Sequence, residues 1–202
     1  MNQEKIYDIA IVGGGIVGLS AALRVRELHP NWKITVIERH PFGGGGSTRN
    51  AGFACFGSPT EILEDLSKES ESAVLERIKM RITGLEDLKS ICGKNEINFT
   101  NYGGFEIFNN LEKSLFENTT DQLPKLNKLL FPFTGQDTFE ISDNSQHSFR
   151  NAIKINLEGQ INPFLAWKRL NSLVAAKGNV YFISERALDI IPSGSKVNVK
   201  TN

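Results

Sequence analysis

The chain has 202 residues, enough to bury a core and to hold one or two domains. Its 23 basic and 23 acidic side chains cancel, so the electrostatic footprint of a nucleic-acid or anionic-membrane binder is missing. No apolar run approaches the roughly 20 residues of a membrane span. Cys55 and Cys92 make no disulfide framework, and His29, His40 and His147 are too scattered to suggest a metal site. The N-terminus leads directly into a strand and does not resemble a secretory leader, so a reduced, cytoplasmic protein is expected.

In chain order, the first informative stretch is Ile6 to Arg39, which reads as strand, glycine turn, helix and second strand. Ile9 to Val12 is an unbroken apolar run, the pattern of a parallel strand buried on both faces. Gly13, Gly15 and Gly18 then form G-x-G-x-x-G where the strand turns into a helix. Gly13 permits the tight turn, Gly15 lets a pyrophosphate approach the backbone, and Gly18 lets the helix pack on the strand. A diphosphate would rest on the helix N-terminus. The helix is expected to run from about Gly15 to Leu28, where Pro30 stops it. Strand two spans Lys33 to Glu38, and Glu38 lies 20 residues beyond Gly18, the spacing of an acid that accepts from a ribose hydroxyl. A carboxylate there disfavours a 2′-phosphate, so NADP is the least favoured dinucleotide.

The stretch from Pro41 to Phe53, PFGGGGSTRNAGF, is too rich in glycine for an ordinary connection. Small residues, hydroxyls and free N–H groups in sequence suit a loop passing over a second phosphate and a ribityl chain; the competing reading is a flexible surface loop. Arg49 reads equally as an anion partner or as a solvated charge. Ser58-Pro59-Thr60-Glu61 is a helix start, with Ser58 as cap and Glu61 able to close a capping box. Apolar spacing from Leu63 to Ile91, interrupted by polar Ser67 to Ser72, predicts two core-packed helices.

Ile97 to Thr100 and Phe105 to Phe108 read as a hairpin or the start of a second sheet. Leu111 to Leu130 reads as helix broken at Pro124, and Phe131 to Arg150 as irregular. Ala152 to Asn156 is a predicted strand. Asn162 then caps a helix with Pro163 in its first turn. Val180 to Ile183 is the predicted third parallel strand, beyond strand two. Ala187 to Ile191 and Lys196 to Lys200 form a hairpin across Pro192 to Ser195.

Several of these segments share a family resemblance. Ile9 to Leu23, Glu38-Arg39 and GGGGSTRNAGFA resemble the FAD-binding entry of the D-amino-acid oxidase-like flavoenzymes, the glycine and sarcosine oxidases. Tyr102 to Phe108 and Glu158 to Pro163 resemble that family's first substrate-domain strands and its return to the nucleotide domain. The resemblance implies an α/β architecture: a Rossmann-like, doubly wound parallel FAD domain with an inserted α+β substrate domain. Residues 1–58 would begin the FAD domain, 59–156 supply helices and the start of the substrate domain, and 157–202 return to an incomplete FAD domain. Truncation is expected, because only three parallel strands can be placed; strand one would show an open edge and favour association.

FAD would be held by Gly13, Gly15, Ile16, Val17, Gly18, Glu38 and Arg39, by Ser47, Thr48, Arg49, Asn50, Ala51 and Gly52 of the second loop, and by Ala187 near the adenine. Some relatives link the flavin to a histidine after the Gly-Ser-Thr of this loop; Arg49-Asn50 stand there instead, which implies non-covalent FAD. Cys55 reads as a small buried hydrophobe rather than a thioether link. The implied activity is oxidation of a C–N bond in an amine or amino acid, with oxygen or a redox partner as electron acceptor. No catalytic residue can be named, although Gln160 or Asn162 is placed near the closing strand and Tyr102 is either a site residue or a core aromatic. The competing functions are a flavin-dependent 2-hydroxyacid or glycerol-phosphate type dehydrogenase and a dinucleotide-binding module without turnover.

Overall fold

The computed structural model describes residues 5–40, 42–142 and 151–202. Its elements in chain order are β1 (Ile9–Val12), α1 (Ile16–Leu28), β2 (Ile34–Ile37), β3 (Phe53–Ala54), α2 (Pro59–Lys68), α3 (Glu71–Cys92), β4 (Gly104–Phe108), a 3-10 turn (Asn110–Glu112) and α4 (Lys113–Thr134). They continue as β5 (Phe139–Ile141), β6 (Asn151–Ile155), β7 (Gly159–Gln160), α5 (Pro163–Ala175), β8 (Val180–Ile183), β9 (Ala187–Ser193) and β10 (Lys196–Thr201). These elements fall into two compact units. The first is Met1–Ala51, Lys94–Ile97 and Asn162–Asn202; the second is Gly52–Gly93 and Asn98–Ile161.

The first unit is built on a parallel sheet of order β1-β2-β8, with Ile9 beside Ile34 and Ile34 beside Val180. All of β2 is buried, as a central strand should be. β1 is not buried as its apolar run predicts: Ala10 is exposed and Val12 is 51% exposed. It pairs only with β2 among the described strands, so it is an edge. α1 faces β1 through Gly18, where an added Cβ would lie 3.3 Å from the Ile11 Cγ2. Buried Leu19, Ala22 and Leu23 give α1 the i, i+3, i+4 stripe that seats it. α5 starts as its residues require, with the Asn162 Oδ1 accepting from the Leu165 N–H at 3.0 Å and Pro163 at the first helical position. The β9–β10 ribbon continues past the expected turn, since Val197 pairs with Pro192 and only Gly194 and Ser195 remain between the strands. Gly194, at φ 61°, suits the first central position of a two-residue turn.

In the second unit an antiparallel sheet of order β4-β6-β5 packs with α2, α3 and α4 around Phe56, Ile62, Ile78, Leu126, Phe139 and Ile153. The Ser58 Oγ caps α2 by accepting from the Glu61 N–H, and the Ser70 Oγ caps α3, so the polar break separates two helices. Three expectations change here. The 97–108 hairpin is not formed, because Asn98 adopts φ 51° and ends any strand there; Thr100 bridges Gln160 while β4 pairs with β6. α4 runs unbroken through Pro124 and Pro132. An interior proline costs about 3 kcal/mol, but each buried leucine returns about 1.5 to 3, and Leu123, Leu126 and Leu130 are all buried. The stretch after 131 is also less irregular than expected: α4 continues to Thr134, and Asn127 holds β5 with its Oδ1 accepting from the Thr138 and Phe139 N–H groups at 3.0 and 2.8 Å. Residues 143–150 of that stretch lie outside the described residues.

If leucine burial carries α4 past its proline, Pro124→Ala should stabilise the protein. The recovered helix bond, less the unfolded-state entropy that proline removes, predicts a gain of about 2 kcal/mol in urea unfolding. A lower unfolding midpoint would show that Pro124 is a packing requirement instead.

Candidate functional site

The glycine turn after β1 is held from both sides. Gly13 sits at φ 105°, which only glycine tolerates readily, and its N–H donates to the Ile37 O at 2.8 Å. The Gly14 N–H donates to the Glu38 Oε2 at 2.7 Å, and the Gly14 carbonyl accepts from the Trp167 Nε1–H at 2.8 Å. The other Glu38 oxygen accepts from the His40 N–H at 2.7 Å. The expected ribose acid is thus already docked on the turn, with further lone pairs on each oxygen. Gly18 is demanded by packing, since a Cβ there would lie 1.9 Å from the Gly13 O. Gly15 also has a reason inside the protein. A Cβ on it would lie 2.8 Å from the Ser47 Oγ, and that hydroxyl accepts from the Ile16 N–H at 3.1 Å, serving an α1 terminus that has no side-chain cap of its own.

The second loop is folded on itself. The Thr48 hydroxyl donates to the Gly43 and Gly45 carbonyls, and the Asn50 Nδ2 donates to the Gly46 O at 2.9 Å. Gly43, at φ 77°, lies against the Trp167 ring, where a Cβ would be 3.0 Å from the Cε3. Gly45 and Gly46 differ: neither has a positive φ, and no atom lies within 4 Å of where a Cβ would point. The protein itself does not require glycine at these two positions. Of the other residues named from the sequence, Arg39, Arg49 and Ala51 are exposed, Val17 is 83% exposed, and Ile16 and Ala187 are half-buried. Gly52 belongs to the second unit, where at φ 76° its carbonyl accepts from the Ile161 N–H. The structure therefore gathers Gly13 to Gly18, Glu38 and Ser47 around one helix start. It adds the backbone of Gly14, which is a variable position of the motif, and Trp167, whose apolar spacing on α5 says only that it faces the core.

In the second unit, β3 and β7 form a two-residue ladder, and the loop leaving β3 is fastened by acids. The buried Glu158 Oε1 accepts from the Phe56 N–H at 3.0 Å. Glu106 accepts from the Ser58 hydroxyl at 2.9 Å and from Thr60, and Arg81 donates to the Phe56 O and the Glu61 Oε1. Burial pushes the Glu158 carboxyl above the ordinary range, the Phe56 and Gly57 N–H groups oppose the push, and Glu61 and Glu106 add to it. Cys55 is exposed and not the buried hydrophobe read from the sequence, yet partial desolvation first and Glu158 second push its thiol up, so it is a poor thiolate. Tyr102 is 68% exposed and is not a core aromatic. Among the described residues, no group of three or more His, Cys, Asp or Glu side chains could hold a metal ion, and no helix is long and apolar enough to cross a membrane.

A parallel sheet whose first strand turns through G-x-G-x-x-G onto a helix, with an acid ending the second strand, defines a dinucleotide-binding protein of the Rossmann type. The chain belongs to the FAD dependent oxidoreductase family, whose model matches residues 8–202, and FAD is the cofactor of that family. The sequence is 30% identical over 105 residues to a mitochondrial L-2-hydroxyglutarate dehydrogenase of Dictyostelium discoideum, covering 50% of this chain and 20% of that protein. In fold it is similar to glycine oxidase from Bacillus cereus, with TM-score 0.61, 21% identity and coverage of 97% of this chain and 51% of the other. It is also similar to L-alpha-glycerophosphate oxidase from Mycoplasma pneumoniae with FAD bound, with TM-score 0.67, 18% identity and coverage of 98% and 50%. The chain spans about half the length of these two solved structures, and its match covers a fifth of the dehydrogenase.

The raised Glu158 value has a signed consequence. Between the ordinary carboxyl value, about 4.3, and the higher folded value, the folded state binds more protons than the unfolded one, so stability falls as pH rises through that window. Glu158→Gln should abolish that fall in urea titrations run from about pH 4 to pH 7. Glu158→Ala should cost about 1 to 3 kcal/mol throughout, because the Phe56 N–H loses its acceptor. A slope unchanged in Glu158→Gln would remove Glu158 as its source.

Proposed function

We propose that the native protein oxidises a C–N bond of an amine or amino acid with non-covalently held FAD as electron acceptor. The observation that carries the cofactor reading is the pair Gly45 and Gly46, glycines without a positive φ and with open space at the Cβ position. A side chain there would meet no atom of the protein, so a ligand lying over this exposed loop would account for the two glycines. The N-terminus of α1 and Ser47 would receive the diphosphate, Glu38 the adenosine ribose, and Ala187 would lie on the adenine side. Bound FAD would supply a two-electron acceptor, taking a hydride from the carbon of the neutral amine so that the iminium left behind is hydrolysed by water to a carbonyl compound and an ammonium ion. The chain's own residues bind and orient; Gly14 and Thr48 hold the two loops in shape before any ligand arrives.

The amine reading is supported by the fold likeness to a glycine oxidase and by the S-T-R-N-A-G segment of the second loop. A second reading, oxidation of a 2-hydroxy acid or a polyol phosphate, is supported by the sequence match to an L-2-hydroxyglutarate dehydrogenase and the fold likeness to a glycerophosphate oxidase. Two cysteines in 202 residues make no disulfide framework, which suits a reducing compartment such as the cytoplasm.

Two measurements test this on the native protein. Anaerobic mixing with amino acids and with 2-hydroxy acids separates the two readings: bleaching of the flavin by an amino acid alone supports C–N oxidation, and bleaching by a hydroxy acid alone overturns it. Gly45→Leu and Gly46→Leu should leave the unfolding midpoint of the FAD-free protein within about 0.5 kcal/mol of wild type while weakening FAD binding at least about tenfold, or 1.4 kcal/mol. Unchanged FAD affinity in both would refute the placement of this loop on the cofactor.

A further inference from the structure

We infer that Trp167 is a positioning residue for FAD binding: its Nε1–H on the Gly14 carbonyl and its ring on Gly43 lock the two glycine segments into one receptive arrangement. This rests on the dinucleotide reading above. The indole is buried on α5, 153 residues from the turn it holds, and it is well placed to act as a fixed point. α5 is capped by Asn162, begins with Pro163 and packs against α1. Phe164 lies beside the indole with ring centroids 5.9 Å apart.

From this fixed point two chains of contacts reach the α1 terminus. In one, Trp167 holds the Gly14 carbonyl while Glu38 holds the N–H of the same residue, so neither neighbouring peptide can turn without breaking a bond. In the other, the ring supports Gly43, the Thr48 hydroxyl closes onto the Gly43 carbonyl, and the adjoining Ser47 accepts from the Ile16 N–H. Gly43 is favoured from both directions, because φ 77° strains any side chain and a Cβ would lie 3.0 Å from the ring, which would have to give by a few tenths of an ångström. A loop so held has little freedom left to lose on binding, and preorganisation of that kind appears as affinity.

A residue that served only the α1–α5 core would change stability and leave the affinity of the folded protein alone. The test is therefore FAD titration of the native protein and its Trp167→Phe variant, at a denaturant-free temperature where both are fully folded. Backbone hydrogen exchange over residues 42–51 of the FAD-free forms is measured alongside. Phenylalanine keeps an aromatic ring and removes the N–H donor. The expected result is an FAD dissociation constant raised about tenfold, the scale of one lost hydrogen bond, with faster exchange in the second loop. Gly43→Ala, which disturbs the ring contact from the loop side, should weaken FAD in the same direction and carries the test if Trp167→Phe does not fold. Wild-type protein that binds no FAD would overturn the parent reading. Wild-type protein that binds FAD, with unchanged affinity and loop exchange in the variants, would overturn the positioning role alone.

Discussion

The first unit depends on one residue whose backbone is held by two side chains remote from it. Gly14 gives its N–H to Glu38 at the end of β2 and receives the Trp167 indole from α5 on its carbonyl. A hydrogen bond to a charged partner contributes about 1.5 to 3 kcal/mol and a neutral one about 1, so together they rival the burial of a large apolar side chain. The left-handed Gly13, the Gly18 contact on the Gly13 carbonyl and the Ser47 cap of α1 all act on the turn so fixed. Through these contacts the turn and the first residue of α1 form one held segment.

Comparable logic governs the loop between β3 and α2 in the second unit, with acids as the clamps. Glu158 and Glu106 accept from backbone and hydroxyl groups between Phe56 and Thr60, while Arg81 ties the Phe56 carbonyl to Glu61. A Cβ on Gly104 would lie 2.2 Å from the Glu158 Oε2, so a side chain on β4 there would displace the buried carboxylate that holds the Phe56 N–H. Both units thus use long-range hydrogen bonds to fix short irregular segments, and leave the regular elements to apolar packing.

What was legible in the sequence was local. The strand–turn–helix–strand order, the caps at Ser58 and Asn162, and the position of β8 beyond β2 follow from spacing, proline and glycine. The separate jobs of Gly13 and Gly18 were also readable, because the chain must turn and then pack within five residues. The Trp167 contact was not, since apolar periodicity on α5 says that the indole is inside and not what its N–H meets. Nor could periodicity show that leucine burial would override Pro124, that Asn127 would hold a strand, or that Asn98 would turn left-handed. An apolar run like Ile9 to Val12 reports what a strand is suited to meet; the exposure of Val12 reports what pairs with it among the described strands.

In the function proposed above, the turn is formed in advance and FAD binds to it. Site-resolved amide hydrogen exchange at Gly14, in FAD-free and FAD-loaded native protein, tests this most directly. A preformed turn predicts strong protection of the Gly14 amide before FAD is added, with a further rise on loading. An amide that exchanges as freely as an open loop in the FAD-free protein, and becomes protected only on loading, would contradict it.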